Sequence, residues 1–198
     1  MIEAYYDGFR DRLVADYRNR NPRVVAALSF AGEALASARS ILDVGCGIGW
    51  STSHLRATGA EVVGLDISPV LIETAREMFG GEFICADFLD WPPERTFDAV
   101  LLIDAYEHFP RVKRHVLHAR IRDLEPDLVA LTVPSPTAMQ YARDHGIPLQ
   151  PIDEDVTLDD LTVLARDLGG ESDLAGELEE HLVSIWEPDD YRHVLVRR

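Results

Sequence analysis

Apolar positions along this chain recur in two rhythms, and the change from one to the other marks out the elements. Residues 3–20 place Tyr5, Tyr6, Phe9, Leu13, Val14 and Tyr17 at helical spacing, which predicts one amphipathic helix. Pro22 marks a break, and the alanine- and leucine-rich stretch from Val24 to Ala38 predicts a second helix. From Ile41 onward short apolar runs alternate with helical patterns. Strands are expected at 41–44, 61–65, 82–85, 97–102 and 127–133, and helices at 50–58, 69–78 and 110–123. Such alternation implies a parallel sheet with helices on both faces. Ser68-Pro69 suits a helix start, with serine as cap and proline in the first turn.

Pro134 to Gly170 interrupts the rhythm with Pro134, Pro136, Pro148 and Pro151 and a mixed Tyr/Arg/His/Asp content. Connections this long in compact domains are usually functional. Within it, Thr157 with an acid three residues on predicts a helix start, and Gly169-Gly170 its end. The tail reads as two strands, 181–187 and 191–196, joined by a turn at Pro188-Asp189-Asp190.

The 198 residues and 46% hydrophobic content suit one domain with a full core. Four parts are expected within it: a helical extension (1–38) packed over the sheet edge or the ligand mouth, a ligand-binding core (39–133), a lid or substrate segment (134–170) and a C-terminal hairpin (171–198). The formal net charge of −16 disfavours nucleic acid as a partner. The basic run Arg111–Arg122 is read as a solvated helix face, with Val112, Val116, Leu117 and Ala119 as its apolar stripe. No apolar run approaches a membrane span, and no signal peptide is evident at the N-terminus, so a cytoplasmic location is expected. Cys46 and Cys85 read as buried thiols in a reducing compartment, and no Cys/His cluster has metal-ligand spacing.

Chemistry concentrates in Ile41-Leu42-Asp43-Val44-Gly45-Cys46-Gly47-Ile48-Gly49-Trp50. An apolar run ends in an acid, breaks into three alternating glycines and enters a helix. Glycine lets a ligand approach bare main chain, and the helix start offers unpaired N–H donors. The dinucleotide fingerprint G-x-G-x-x-G would need glycine at position 50, which is Trp50. The turn therefore suits a nucleotide ligand without a diphosphate.

Residues 41–49 resemble the first motif of the class I S-adenosylmethionine-dependent methyltransferases. Three further segments match in order: Val62–Ser68, Phe83–Phe88 and Phe97–Phe109, the last carrying the "EH" pair Glu107-His108 of many small-molecule methyltransferases. The resemblance covers about residues 37–135. It implies a doubly wound, Rossmann-like α/β fold, a mostly parallel seven-stranded sheet with a C-terminal antiparallel hairpin. It also implies S-adenosylmethionine as cofactor, leaving as S-adenosylhomocysteine. Gly45, Cys46, Gly47 and Gly49 would wrap the methionine part and Asp43 would hold its ammonium. Asp66, with Ile67 beside it, would take the ribose hydroxyls, and Asp87 and Phe88 the adenine. Leu102 and Ile103 would line the methionine chain through their backbone.

On the acceptor side, His108 is a candidate general base because imidazole titrates near working pH. Tyr5 and Tyr6 resemble tyrosines that close over the cofactor, though their spacing fits core packing equally well. Tyr106 is expected to wall the substrate pocket, and Tyr141, Arg143 and His145 to contribute from the atypical segment. The function implied is methyl transfer to an oxygen or nitrogen of a small molecule, by a monomer or homodimer. The alternatives are a non-catalytic S-adenosylmethionine-binding protein and a nicotinamide-dependent oxidoreductase. Trp50 and the absence of a Tyr-x-x-x-Lys pair (Lys113 is the only lysine) speak against the latter.

Overall fold

The computed structural model describes residues 2–169 and 177–198. Three helices precede the sheet: α1 (Ile2–Asp7), α2 (Arg10–Arg18) and α3 (Pro22–Ala34). The single helix expected over 3–20 is thus two, parted by a turn in which Gly8 and Phe9 donate to the carbonyls of Tyr5 and Tyr6. Pro22 does not end a helix. It opens α3, where a missing N–H costs nothing, and the Asn21 side chain caps the helix by accepting from Arg23 N–H at 3.0 Å.

The sheet and its crossovers follow as β1 (Ser40–Val44), α4 (Trp50–Arg56), β2 (Glu61–Asp66), α5 (Pro69–Phe79), β3 (Phe83–Cys85), β4 (Ala99–Ile103), α6 (Arg114–Asp123) and β5 (Leu128–Pro134). Then come α7 (Pro136–Asp144), α8 (Leu158–Gly169), β6 (Glu177–Val183) and β7 (Tyr191–Arg197). Strand order is β3-β2-β1-β4-β5-β7-β6. Pairs from β3 through β5 are parallel, and β7 joins β5 antiparallel with β6 outside it. This is the seven-stranded architecture that the motif order implies.

Alternating side chains supply both faces of the sheet. Leu42, Val100, Leu102, Val129 and Leu131 pack beneath Leu117 and Ile121 of α6 and Leu161, Leu164 and Leu168 of α8. Ile41, Val62, Ala99, Leu101 and Ala130 face the other way, against Ala31 and Leu35 and against Leu55 of α4. So α3 is one of the covering helices, while α1 and α2 lie at the ligand mouth. Truncating a fully buried leucine such as Leu101 would cost about 2–5 kcal/mol.

Other expectations are corrected by local hydrogen bonding and packing. Between Pro134 and the helix expected from Thr157, a further helix interrupts the segment. Ser135 accepts from Ala138 N–H, and Pro136 starts α7. The second helix of this stretch is the one expected: Thr157 and Asp160 cap α8 reciprocally, Thr157 N–H donating to the Asp160 carboxylate and Asp160 N–H to the Thr157 hydroxyl. The terminal glycine pair falls partly outside the described residues, at Gly170. The first tail strand ends at Val183 rather than running to Glu187. The Asp190 carboxylate gathers the N–H groups of Ile185, Trp186 and Glu187 into a loop. On α6 the inward stripe is Arg114, Leu117, His118 and Ile121, whereas Val112 is exposed. Cys46 is buried as expected, but Cys85 is exposed at the end of the short third strand.

The bend after β1 is closely packed. Gly45 has φ +74°, and a Cβ built there would stand 2.8 Å from Ala105 Cβ. At Gly49 (φ +81°) it would meet the Phe83 ring at 2.7 Å. Strain and overpacking therefore act together in a Gly45→Ala variant. We expect it to lose roughly 2 kcal/mol or more of stability, read from urea unfolding.

Candidate functional site

Two adjoining clefts, of about 200 and 180 Å³, open at the carboxyl ends of the parallel strands. Open α/β sheets bind ligands there, where strand order reverses, which in this sheet is between β1 and β4. Tyr6, Gly45, Asp66 and Asp104 line both clefts. The first continues past Ile67, Asp87, Phe88 and Leu89 to His108, Phe109, Lys113 and Ile152. The second runs along Cys46, Gly47, Ile48, Ser51 and Ile103, under Phe9 and under Arg12, Leu13 and Asp16 of α2, and reaches Arg23 and Gln150.

Asp66 ties the two glycine-side turns together. One oxygen accepts Gly47 N–H and the other Ser68 N–H, both at 2.9 Å. Burial raises its pKa, against the lowering effect of those bonds. A carboxylate has about four acceptor sites, so these two bonds do not exhaust it. Asp87 is pinned similarly, by Leu89 N–H at 3.0 Å.

His108 sits where the cleft meets the segment after α7. Its Nδ1 lies 2.7 Å from the Ile152 carbonyl, so Nδ1 carries the proton, and 3.3 Å from an Asp153 carboxylate oxygen. Burial opposes protonation, but buried Glu107, Asp153 and the Ile152 carbonyl outweigh it and lift the pKa to about 8. Because this lies above the ordinary value of ~6.5, the pairing contributes stability fully below about pH 6.5 and loses it as pH rises through about 8. The same segment is fastened by Glu154 N–H on the Glu107 carbonyl and by Arg111 N–H on the Glu154 carboxylate.

Comparison with known proteins agrees with this geometry. Residues 41–127 match the family model described as a methyltransferase domain. The match falls within the stretch that resembles the class I S-adenosylmethionine-dependent methyltransferases. It is 27% identical over 179 residues to a probable chloroplastic tocopherol O-methyltransferase of Oryza sativa subsp. japonica, covering 84% of this chain and 47% of that protein. It is 35% identical over 88 residues to trans-aconitate 2-methyltransferase of Escherichia coli O139:H28, covering 39% of this chain and 35% of that protein. The chain thus spans half or less of the length of these curated relatives. Among solved structures, magnesium protoporphyrin IX methyltransferase from Synechocystis PCC 6803 with bound SAH superposes with a TM-score of 0.72 at 17% identity, covering 98% of each chain.

Within this methyltransferase fold, most residues expected to hold the cofactor come together. Gly45, Cys46, Gly47, Asp66, Ile67, Asp87, Phe88 and Ile103 all line the clefts. Asp43 does not. It is 1% exposed, and one of its oxygens accepts from the Ser51 and Thr52 hydroxyls at 2.6 Å each. Burial outweighs those bonds and lifts its pKa to about 6. Gly49 and Leu102 lie behind the cleft walls, Gly49 against Phe83 and Leu102 in the core.

On the acceptor side Tyr6 and His108 reach the cleft, while Tyr5 packs on Tyr6 and Phe9. Tyr106 does not wall the cleft. It is fully buried, its hydroxyl donates to His118 Nε2 at 2.8 Å, and His118 Nδ1 donates to Asp167 at 2.7 Å. Tyr141 and His145 stack on each other at the surface, and Arg143 pairs with Asp155 at 2.6 Å. None of these three lines either cleft, because α7 turns them outward. Sequence reasoning missed Arg23, Asp104, Gln150 and Asp153. Only Asp104 carried a local signal, as the residue directly after a parallel strand.

Two outcomes follow from this electrostatic arrangement. In an NMR titration the His108 imidazole should have its midpoint near 8, and Asp153→Asn should move it down toward ~6.5. Thr52→Val, which strips a donor from buried Asp43, should cost about 1–3 kcal/mol in thermal or urea unfolding.

Proposed function

We propose that this protein transfers a methyl group from S-adenosylmethionine to an oxygen or nitrogen of a small molecule. The observation that carries the reading is the pair of clefts meeting at Gly45 and Asp66, with Asp87 and Phe88 deep in the first and the bare Gly47 backbone in the second. A nucleoside with a sulfur-linked amino-acid chain has that layout. The relatives named above act on tocopherol, trans-aconitate and magnesium protoporphyrin IX, all small molecules. The acidic surface favours the same class of acceptor.

In this reading Asp66 accepts from the ribose hydroxyls, and Asp87 accepts from the adenine amino group beside Phe88. Tyr6 lies across the junction of the clefts and excludes water from the sulfur side. The bound cofactor supplies a methyl group already activated by the positive charge on its sulfur. The chain's task is then to align the acceptor, and orientation alone can lower a barrier by ~7–11 kcal/mol. His108 keeps its Nδ1 proton on Ile152, which leaves Nε2 to take a proton from an acceptor hydroxyl. Residues 150–155, held across His108 and Arg111, form the lid of the acceptor side.

Calorimetry with S-adenosylhomocysteine and turnover assays with small hydroxylated and amino acceptors test the proposal. Asp66→Ala should weaken binding by about tenfold or more, since it removes charge-assisted hydrogen bonds. Unchanged affinity would sink the assignment. With His108 as base, the rate should rise with pH through about 8 as the imidazole loses its proton, and His108→Gln should abolish that limb.

A further inference from the structure

The orientation of His108 comes from a stretch of chain with little apolar packing of its own. Residues 145–157 join α7 to α8 without helix or strand. Near one end Gly146 has φ +64° with open space around it, and at the other Val156 is fully buried in the core. Ile147 is exposed, and between it and Val156 polar ties do most of the fastening. The hydrogen bonds and ion pairs that 150–155 makes outside itself fall on Glu107, His108, Arg111, Arg114 and Arg143. We propose that residues 150–155 are a latch that carries Asp153 to His108 as its positioning residue, so that the imidazole is held for proton transfer only while the latch is closed. This rests on the reading of His108 as base and names the group that orients it.

Four features support the latch. First, Nδ1 meets the Ile152 carbonyl at 2.7 Å and an Asp153 carboxylate oxygen at 3.3 Å, two groups adjacent in the chain, so one movement removes both. The second Asp153 oxygen accepts Gln150 N–H at 2.7 Å, so the segment aims its own carboxylate. Second, the charges acting on the ring are divided between a fixed part and a movable one. Glu107 is buried beside His108 in the same short turn, and the Tyr6 ring of α1 stands 6.0 Å away, whereas Asp153 travels with the latch. When the latch opens, the imidazole loses the bond that fixes its tautomer. Third, the closing ties are weak ones. Arg111 N–H on Glu154 and Arg143 on Asp155 are exposed to solvent, where such pairs contribute little. A segment held in this way opens locally while the core stays folded. Fourth, Ile152 and His108 line the same cleft, so opening widens the entry and closing completes the base in one movement.

The test loosens the latch at positions that do not touch His108. In the double variant Glu154→Ala, Arg143→Met, amide hydrogen exchange at Gln150 and Glu154 should speed up by about tenfold or more, with the amides of β4 keeping wild-type protection. In the same protein the His108 imidazole, followed by NMR, should titrate at lower pH than in wild type, toward ~6.5, as it should in Asp153→Asn. Lid amides that exchange no faster would mean a fixed wall and overturn the latch. Faster exchange with an unmoved His108 midpoint would overturn it too, and so would an unmoved midpoint in Asp153→Asn. Neither readout needs a methyl acceptor. Coupling seen in a protein that transfers no methyl group would support the latch and overturn the function reading alone.

Discussion

The site hangs on one carboxylate. Asp66 ends β2 and reaches sideways to the turn after β1, accepting Gly47 N–H, and forward to the start of α5, accepting Ser68 N–H. Two loops that belong to different crossovers are thereby held together. The bend after β1 has little freedom of its own: Gly45 is pressed against Ala105, and both Gly45 and Cys46 donate to the Leu65 carbonyl. A rigid backbone cup results, open on the side where α1 and α2 cross. Preorganisation of this kind is what an aligned displacement needs, because the cost of ordering has already been met in folding.

A second layer of polar contacts sets the acceptor side. Tyr106, Glu107 and His108 form a short 3-10 helix directly after β4, and every one of them is committed. Tyr106 is anchored inward by His118 and Asp167, with the Arg114 guanidinium over its ring at 4.9 Å. Glu107 is buried, which raises its pKa despite the neighbouring imidazole. His108 alone turns toward the cleft, and its orientation is dictated by residues 152 and 153 from more than forty positions away. The inward anchor explains why His108 and Phe109 line the cleft while Tyr106 does not.

Charge follows the same logic. Arg114 and His118 belong to a run that looks like a solvated basic face, yet both point into the protein because Asp160 and Asp167 of α8 await them. Buried charge is tolerated when a partner is supplied with hydrogen-bonding geometry. Arg23 and Asp104 are the same kind of pair placed at the edge of a cleft.

Much of this was legible in the chain. Local periodicity fixed the strands because burial on two faces demands continuous apolar runs, and the glycines at 45, 47 and 49 announced a bend that side chains cannot make. The acids at 66 and 87 could be placed because strand ends are where open sheets bind. Capping residues marked helix starts, although Pro22, read as the break before a helix from Val24, is itself the first residue of α3, since proline signals a break and a beginning alike. What only the tertiary structure decided is which polar side chains face the ligand. Asp43 looks like a site residue but lies buried with one oxygen taken by two hydroxyls, and Tyr106 is held by a histidine twelve residues on. Arg23, Gln150 and Asp153 reach the site from distant segments. Spacing along the chain determines direction within an element, whereas the partner of a polar group is chosen by whatever the fold brings beside it.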